Sequence, residues 1–171
     1  MKAAIMTVSD RCWQGRMNDQ AGPALAALVR DRLGGQVVAA TIVPDDAGLI
    51  AEQLRRWAAG PERPDLILTT GGTGLGPRDV TPEATASVLD RPHPALLELA
   101  RLRCLQKTPR AFLSRGLAGT IGAALVINLP GSTRGAVEFL EALLDVLPHA
   151  VDMLRGRPGD HSPPEGGKDE P

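Results

Sequence analysis

Four short apolar or β-branched runs punctuate the chain, at residues 2–9, 36–43, 65–70 and 124–129, and each reads as a strand. Amphipathic stretches separate them. Leu25, Leu28, Val29 and Leu33 fall at helical spacing over residues 23–33, and Gly34-Gly35 supplies a stop. A second helix follows Asp46 with Ile50, Leu54 and Trp57 on one face, and Pro61 and Pro64 end it. Strand and helix in alternation predict an α/β domain, with a mostly parallel central sheet between two helical layers in an α/β/α sandwich.

Beyond the third strand the pattern changes. A glycine-rich stretch leads into Thr81-Pro82, a helix start with Thr81 as N-cap and proline in the first turn. The helix expected over residues 94–106 is apolar on much of its circumference, through Leu96, Leu97, Leu99, Leu102 and Leu105, as in a helix that is buried or packs against another subunit. Residues 108–122 fit neither period. A last helix from about Gly135 carries Val137, Leu140, Leu144 and Leu147 as one stripe. Residues 156–171 hold no aliphatic or aromatic side chain, so a flexible tail is expected there behind a single domain of residues 1–155.

Length and charge narrow the functions this scaffold can serve. The 171 residues suit one domain, and 19 basic against 20 acidic side chains leave no global field to gather nucleic acid or an anionic membrane. Aromatic residues make up 2% of the chain, with no tyrosine, which leaves little from which to build a base-stacking surface. The first apolar run is too short for a signal peptide, and no stretch approaches the ~20 apolar residues that span a bilayer. The expectation is a cytoplasmic protein without nucleic-acid or membrane partners. Cys12 and Cys104 lie far apart and read as reduced thiols.

The polar residues gather at one edge. Ser9-Asp10 end the first strand, Asp45-Asp46 follow the second, Gly71-Gly72-Thr73-Gly74 follow the third, and Asn128 to Ser132 close the last. In open parallel sheets the ligand crevice lies outside the carboxyl ends of the strands. The glycine run allows backbone amides to approach an anion, with threonine hydroxyls beside them; it lacks the lysine of a Walker loop, and an ordinary tight turn is an equal alternative. Asp79 and Asp46 each precede a helix and have capping as their bland role. Asp45, at a strand exit beside its neighbour's cap, pairs with Asp79 as a holder for magnesium shared with substrate phosphates. Ser114-Arg115 offers a hydroxyl and a guanidinium suited to phosphate. Trp13, in the loop after the first strand, is placed to stack on a ring or to pack that loop. His93, His149 and His161 show no ligand spacing.

Taken in order, Ser9-Asp10-Arg11 with Gly15, Asp19, Gly22 and Pro23, then Val43-Pro44-Asp45, then Thr69 to Gly74 with Arg78 to Thr85, then Leu113-Ser114-Arg115 and Asn128 to Ser132, resemble one family. They are similar to the molybdopterin adenylyltransferases of the MogA/MoaB type, including the corresponding domain of gephyrin and its plant counterpart. The resemblance runs from Ile5 to about Leu154. It implies a reaction in which the terminal phosphate of molybdopterin attacks the α-phosphorus of ATP and pyrophosphate leaves. It implies Asp45 and Asp79 as the catalytic acids, acting through magnesium. Gly71, Gly72, Thr73, Gly74, Cys104, Ser114 and Asn128 match the molybdopterin pocket, and Ser9, Asp10, Pro130, Gly131 and Ser132 the nucleotide-contacting loops. Cys104 stands where some relatives have serine, and Thr133 where proline is common. A homotrimer is implied, with a molybdenum-insertion protein as a candidate partner. The alternative is a non-catalytic molybdopterin-binding or assembly module of the same fold.

Overall fold

The computed structural model describes residues 1–156, so the tail expected at 156–171 lies, apart from Gly156, outside the described residues. Strands β1 (Lys2–Val8), β2 (Gln36–Val43), β3 (Leu66–Thr70), β4 (Arg91–Pro92), β5 (Ala118–Ile121) and β6 (Ala124–Leu129) form one sheet in the order β2-β1-β3-β6-β5-β4. β2, β1, β3 and β6 run parallel, while β5 and β4 extend the β6 edge antiparallel. The helices are α1 (Asp10–Trp13), α2 (Ala21–Leu33), α3 (Ala47–Ala59), α4 (Thr81–Ala86), α5 (Pro94–Leu105), α6 (Thr133–Glu141) and α7 (Leu147–Leu154), with a 3-10 turn at Pro109–Leu113.

The period of two along the central strands produces two cores. Ile5, Leu68 and Ile127 face the layer of α2, α5, α6 and α7, where Leu25, Leu97 and Leu140 meet them. Met6, Ile67 and Val126 face α3 and α4 on the other side, against Ile50, Leu54 and Trp57. These central strands are buried on both faces, as a parallel sheet between helical layers requires, and the three-layer expectation holds.

Several local expectations are corrected. Thr81 is the first residue of α4, not its cap; Val80 takes that position, and the Thr81 hydroxyl instead donates to Gly71 O at 2.8 Å. The single last helix is two, because α6 stops at Glu141 and the chain turns before α7. Pro148 explains the break: it has no N–H to continue a helix and sits where a new first turn tolerates it. Residues 108–122 resolve into the 3-10 turn and β5. Helix α5 buries Leu96, Leu97, Ala100 and Cys104 but leaves Leu102 59% and Leu105 42% exposed, beside similarly exposed Phe112 and Leu113. No described helix is long and apolar enough to cross a membrane.

From β1 the chain moves to β2 on one side and then returns past β1 to β3 on the other. Connections therefore leave β1 and β3 in opposite directions, and a crevice opens between them at their carboxyl ends.

Candidate active site

The main crevice, with a volume of 840 Å³, lies at that switch point and is walled by Thr7, Ser9, Asp10, Asp19, Thr70 and Gly71. It shares Gly72, Gly131 and Ser132 with a lobe of 300 Å³ that reaches Thr73, Asp79 and Ser114. That lobe in turn shares Arg110, Pro130 and Ser132 with an outer lobe of 350 Å³ ending at Cys104 and Phe139. The three spaces form one bent groove. The two acids and the residues matched to the pterin pocket and the nucleotide loops all line it except Asn128, whereas Arg115, Trp13 and Asp46 do not.

The glycine run is shaped by close approach. Gly71 has φ +104, and a Cβ there would collide with the carbonyl oxygen of Val8. Gly72 has φ +61, and a Cβ would run into Thr81 Oγ1 and lie 3.1 Å from Asp45 Oδ1. The loop is tied from below: Gly71 N donates to Leu129 O at 3.3 Å, Thr81 N to Gly72 O at 3.0 Å, and Thr70 Oγ1 to Pro130 O at 2.7 Å. A Cβ on Gly131 would stand 3.1 Å from Gly71 Cα, so the two loops touch backbone to backbone. This is a rigid cradle, not a loose turn.

Asp46 caps α3 by accepting from Leu49 N at 3.0 Å, which leaves Asp45 to other work. Asp45 Oδ2 accepts from Asp10 N at 2.8 Å, and Asp10 Oδ1 accepts from Asp45 N at 3.0 Å. This reciprocal pair locks the β1 and β2 exits together. Arg78 closes onto the same Asp10 carboxylate, with Nη2 at 2.8 Å from Oδ2 and 3.0 Å from Oδ1. The Asp45 amide and then the Arg78 guanidinium hold the Asp10 carboxyl below its usual range. Burial pushes the Asp45 carboxyl up, against the lowering effect of the Asp10 amide and with the charges of Asp10 and Asp79 adding to the rise.

Asp79 does not cap α4. Its Oδ2 turns back to accept from Gly76 N at 2.7 Å and lies 3.0 Å from where a Gly74 Cβ would be. Asp45 and Asp79 thus flank the Gly72-Thr73-Gly74 segment, each with Oδ2 fixed by a loop amide and with Oδ1 accepting no hydrogen bond among the described residues. Among the described residues no group of three or more His, Cys, Asp or Glu side chains gathers to hold a metal. Two spare carboxylate oxygens beside an anion cradle fit magnesium, which keeps several waters and takes further ligands from substrate phosphates.

Ser114 Oγ donates to Thr73 Oγ1 at 3.2 Å, on the wall of the middle lobe. Arg115, suited by type to phosphate, is committed elsewhere: Nε donates to Gly74 O and Nη2 to Asp79 O, both at 2.7 Å, and Nη1 pairs with Glu83. It girdles the glycine loop. Asn128 is fully buried and aimed at α4, with Nδ2 donating to Thr69 Oγ1 and Thr85 Oγ1 at 2.9 Å each and Oδ1 accepting from Leu117 N at 3.0 Å. Its hydrogen bonds brace the floor of the site. Cys104 Sγ donates to Glu138 O at 3.5 Å, and burial raises its pKa, so it serves the outer lobe as a neutral thiol. Ser9 and Ser132 cap α1 and α6 through Cys12 N and Gly135 N, each at 3.2 Å. Trp13 ends α1 and stands 57% exposed.

Sequence reasoning gave no role to Asp19, which accepts from Thr7 Oγ1 at 2.7 Å and from Gly22 N at 3.0 Å on the crevice wall. The spacing Asp-x-x-Gly ahead of α2 was the available signal. Arg110 was also missed, and nothing local marks it.

Comparison with known proteins agrees with this geometry. Residues 4–149 match the family described as "Probable molybdopterin binding domain". The chain is 42% identical over 150 residues to the molybdenum cofactor synthesis protein cinnamon of Drosophila melanogaster, spanning 88% of this chain but only 25% of that protein. It is 37% identical over 153 residues to a molybdopterin adenylyltransferase of Helicobacter pylori, covering 89% of this chain and 86% of the relative. The crystal structure of the molybdopterin biosynthesis enzyme MoaB from Thermus thermophilus superposes with a TM-score of 0.85 at 50% identity, over 92% of this chain and 98% of that one. With the glycine cradle, its flanking acids and a match over nearly the whole domain, the chain belongs to the molybdopterin-binding domain family of MogA and MoaB.

Proposed function

We propose that this chain is a molybdopterin adenylyltransferase that seats ATP in the main crevice and molybdopterin in the two smaller lobes. The observation that carries the reading is the continuity of those spaces around Gly72 and Ser132, with Asp45 and Asp79 on either side of the junction. Two phosphate-bearing substrates entering from opposite ends meet at the glycine cradle.

There the terminal phosphate oxygen of molybdopterin attacks the α-phosphorus of ATP. A phosphoanhydride bond forms, the bond from the α-phosphorus to the bridging oxygen breaks, and pyrophosphate leaves. Little covalent work falls to the protein, so alignment and charge compensation dominate. The cradle amides and the Thr73 and Ser114 hydroxyls orient the attacking phosphate, while the loops holding Ser9, Asp10 and Pro130 to Ser132 line the nucleotide's path. The spare oxygens of Asp45 and Asp79 would hold magnesium, which would supply positive charge to the polyphosphate. Pyrophosphate release by the purified protein should require molybdopterin, ATP and magnesium together. Release without molybdopterin, or none with all three, would refute the reading.

Leu102 and Leu105 on α5, and Phe112 and Leu113 on the 3-10 turn packed against it, are exposed large apolar side chains, which suits a homotrimer. Sedimentation showing a monomer at micromolar concentration would exclude it. The setting is cytoplasmic, and a molybdenum-insertion protein is the natural acceptor of an adenylylated pterin.

A further inference from the structure

The middle lobe must receive a phosphate monoester carrying up to two negative charges, yet Asp79 already places a carboxylate in its wall. Three arginines surround this region, and all are committed. Arg78 is bidentate on Asp10, Arg115 spans two carbonyls and Glu83, and Arg101 donates to the carbonyls of Ser114 and Gly116. Among the described residues one cation lines the lobe itself, and that is Arg110.

Arg110 lines both the middle and the outer lobe, so it stands where they join. Its backbone is fixed, since Thr108 Oγ1 accepts from Arg110 N at 3.2 Å at the start of the 3-10 turn. Its guanidinium makes no hydrogen bond or ion pair among the described residues, unlike the other cations of the outer lobe. Arg134 pairs with Glu138 at 2.9 Å, and Lys107 lies 3.9 Å from Glu141. A fixed backbone bearing a free, planar double donor at the entrance to an anion cradle is suited to bidentate capture of phosphate.

We infer that Arg110 is a further substrate-binding residue, whose guanidinium grips the terminal phosphate of the pterin substrate as it reaches the Thr73 and Ser114 hydroxyls. The inference rests on the proposed substrate and deepens it. Arg110 selects the phosphorylated pterin over its dephosphorylated form, compensates the Asp79 charge, and leaves nucleotide binding alone, since it does not line the main crevice.

The test compares wild type, Arg110→Met, Arg110→Lys and, as a control on the exposed side of α3 away from the groove, Arg56→Gln, for equilibrium binding of molybdopterin, of dephosphorylated molybdopterin and of ATP. Arg110→Met should weaken molybdopterin roughly tenfold or more, the loss expected for one hydrogen bond to a charged group. Arg110→Lys should fall between it and wild type, because the charge remains and the fork is lost. Dephosphorylated pterin and ATP should bind all variants alike, and Arg56→Gln should match wild type. An Arg110→Met affinity within twofold of wild type, or an equal loss for the dephosphorylated pterin, would overturn the inference while leaving the proposed substrate standing. Failure of the wild type itself to bind molybdopterin would overturn both.

Discussion

Replacing Asp45 with asparagine separates a catalytic acid from a structural one. Asparagine keeps the size of the side chain, and its Oδ1 can still accept from Asp10 N, so the lock between the β1 and β2 exits survives. What is lost is the difference between a charged and a neutral acceptor, about 1 kcal/mol. An opposing effect comes from burial. The Asp45 carboxyl is raised in the folded state, so the fold binds its proton more tightly than the unfolded chain does, and stability falls as pH rises through that range. At neutral pH the ionised carboxylate therefore costs stability that asparagine does not. The two effects oppose each other, so a fall in melting temperature beyond the ~4 °C that about 1 kcal/mol corresponds to at this size is not expected. Turnover should behave differently. Without the charge to hold magnesium against the phosphates, adenylyl transfer should fall by ~100-fold or more, comparable to deleting one strong electrostatic stabiliser, or about 2.7 kcal/mol. Asp79→Asn should act alike, because its amide oxygen can still accept from Gly76 N. Melting temperature, molybdopterin affinity and product formation measured on the same two variants decide the matter. Near-normal product formation, with or without a loss of stability, would refute the catalytic assignment.

The scaffold yields further tests. Gly71→Ala should lower stability by roughly 2 kcal/mol or more, seen in chemical denaturation, because φ +104 and the Val8 carbonyl both reject a Cβ; an unchanged midpoint would show that the loop can shift. Asn128→Ala should cost about 3 kcal/mol or more, as it strands Leu117 N–H and two buried threonine hydroxyls, and a loss of activity without destabilisation would instead make Asn128 a contact residue. The stabilisation that Asp10 gives is complete above the ordinary carboxylate range and fades as pH falls through its lowered folded value. In Arg78→Met, an NMR titration of Asp10 should show its midpoint moving back up, and an unmoved midpoint would mean that Arg78 does not bear on it.

The elements that depend on sequence period were legible before the fold was known. β2 and β6 occupy the expected residues, and α3 presents Ile50, Leu54 and Trp57 to the core as its spacing implied. The gathering of Ser9, Asp45, Gly71 and Ser132 at one sheet edge followed from strand direction alone. What stayed hidden depends on contacts distant in sequence. Thr81 has the composition of a cap, but the Gly71 carbonyl ten residues earlier claims its hydroxyl. Arg115 has the chemistry of a phosphate ligand, but Gly74, Asp79 and Glu83 surround it. Asn128 opens a loop-like motif yet lies within a buried strand whose register places it beside Thr69. The strand β4, two residues long, has no period to detect, and its pairing with β5 is visible only in three dimensions.

In the proposed reaction the α-phosphorus of ATP is the atom attacked and molybdopterin the attacker. The most direct measurement supplies the purified protein and magnesium with molybdopterin and ATP carrying a radioactive phosphorus at either the α or the γ position, then separates the products. Adenylyl transfer puts α label in an adenylylated pterin and γ label in pyrophosphate, with both products absent when molybdopterin is omitted. Gamma label in the pterin, or a pterin with no label from either nucleotide, would contradict it.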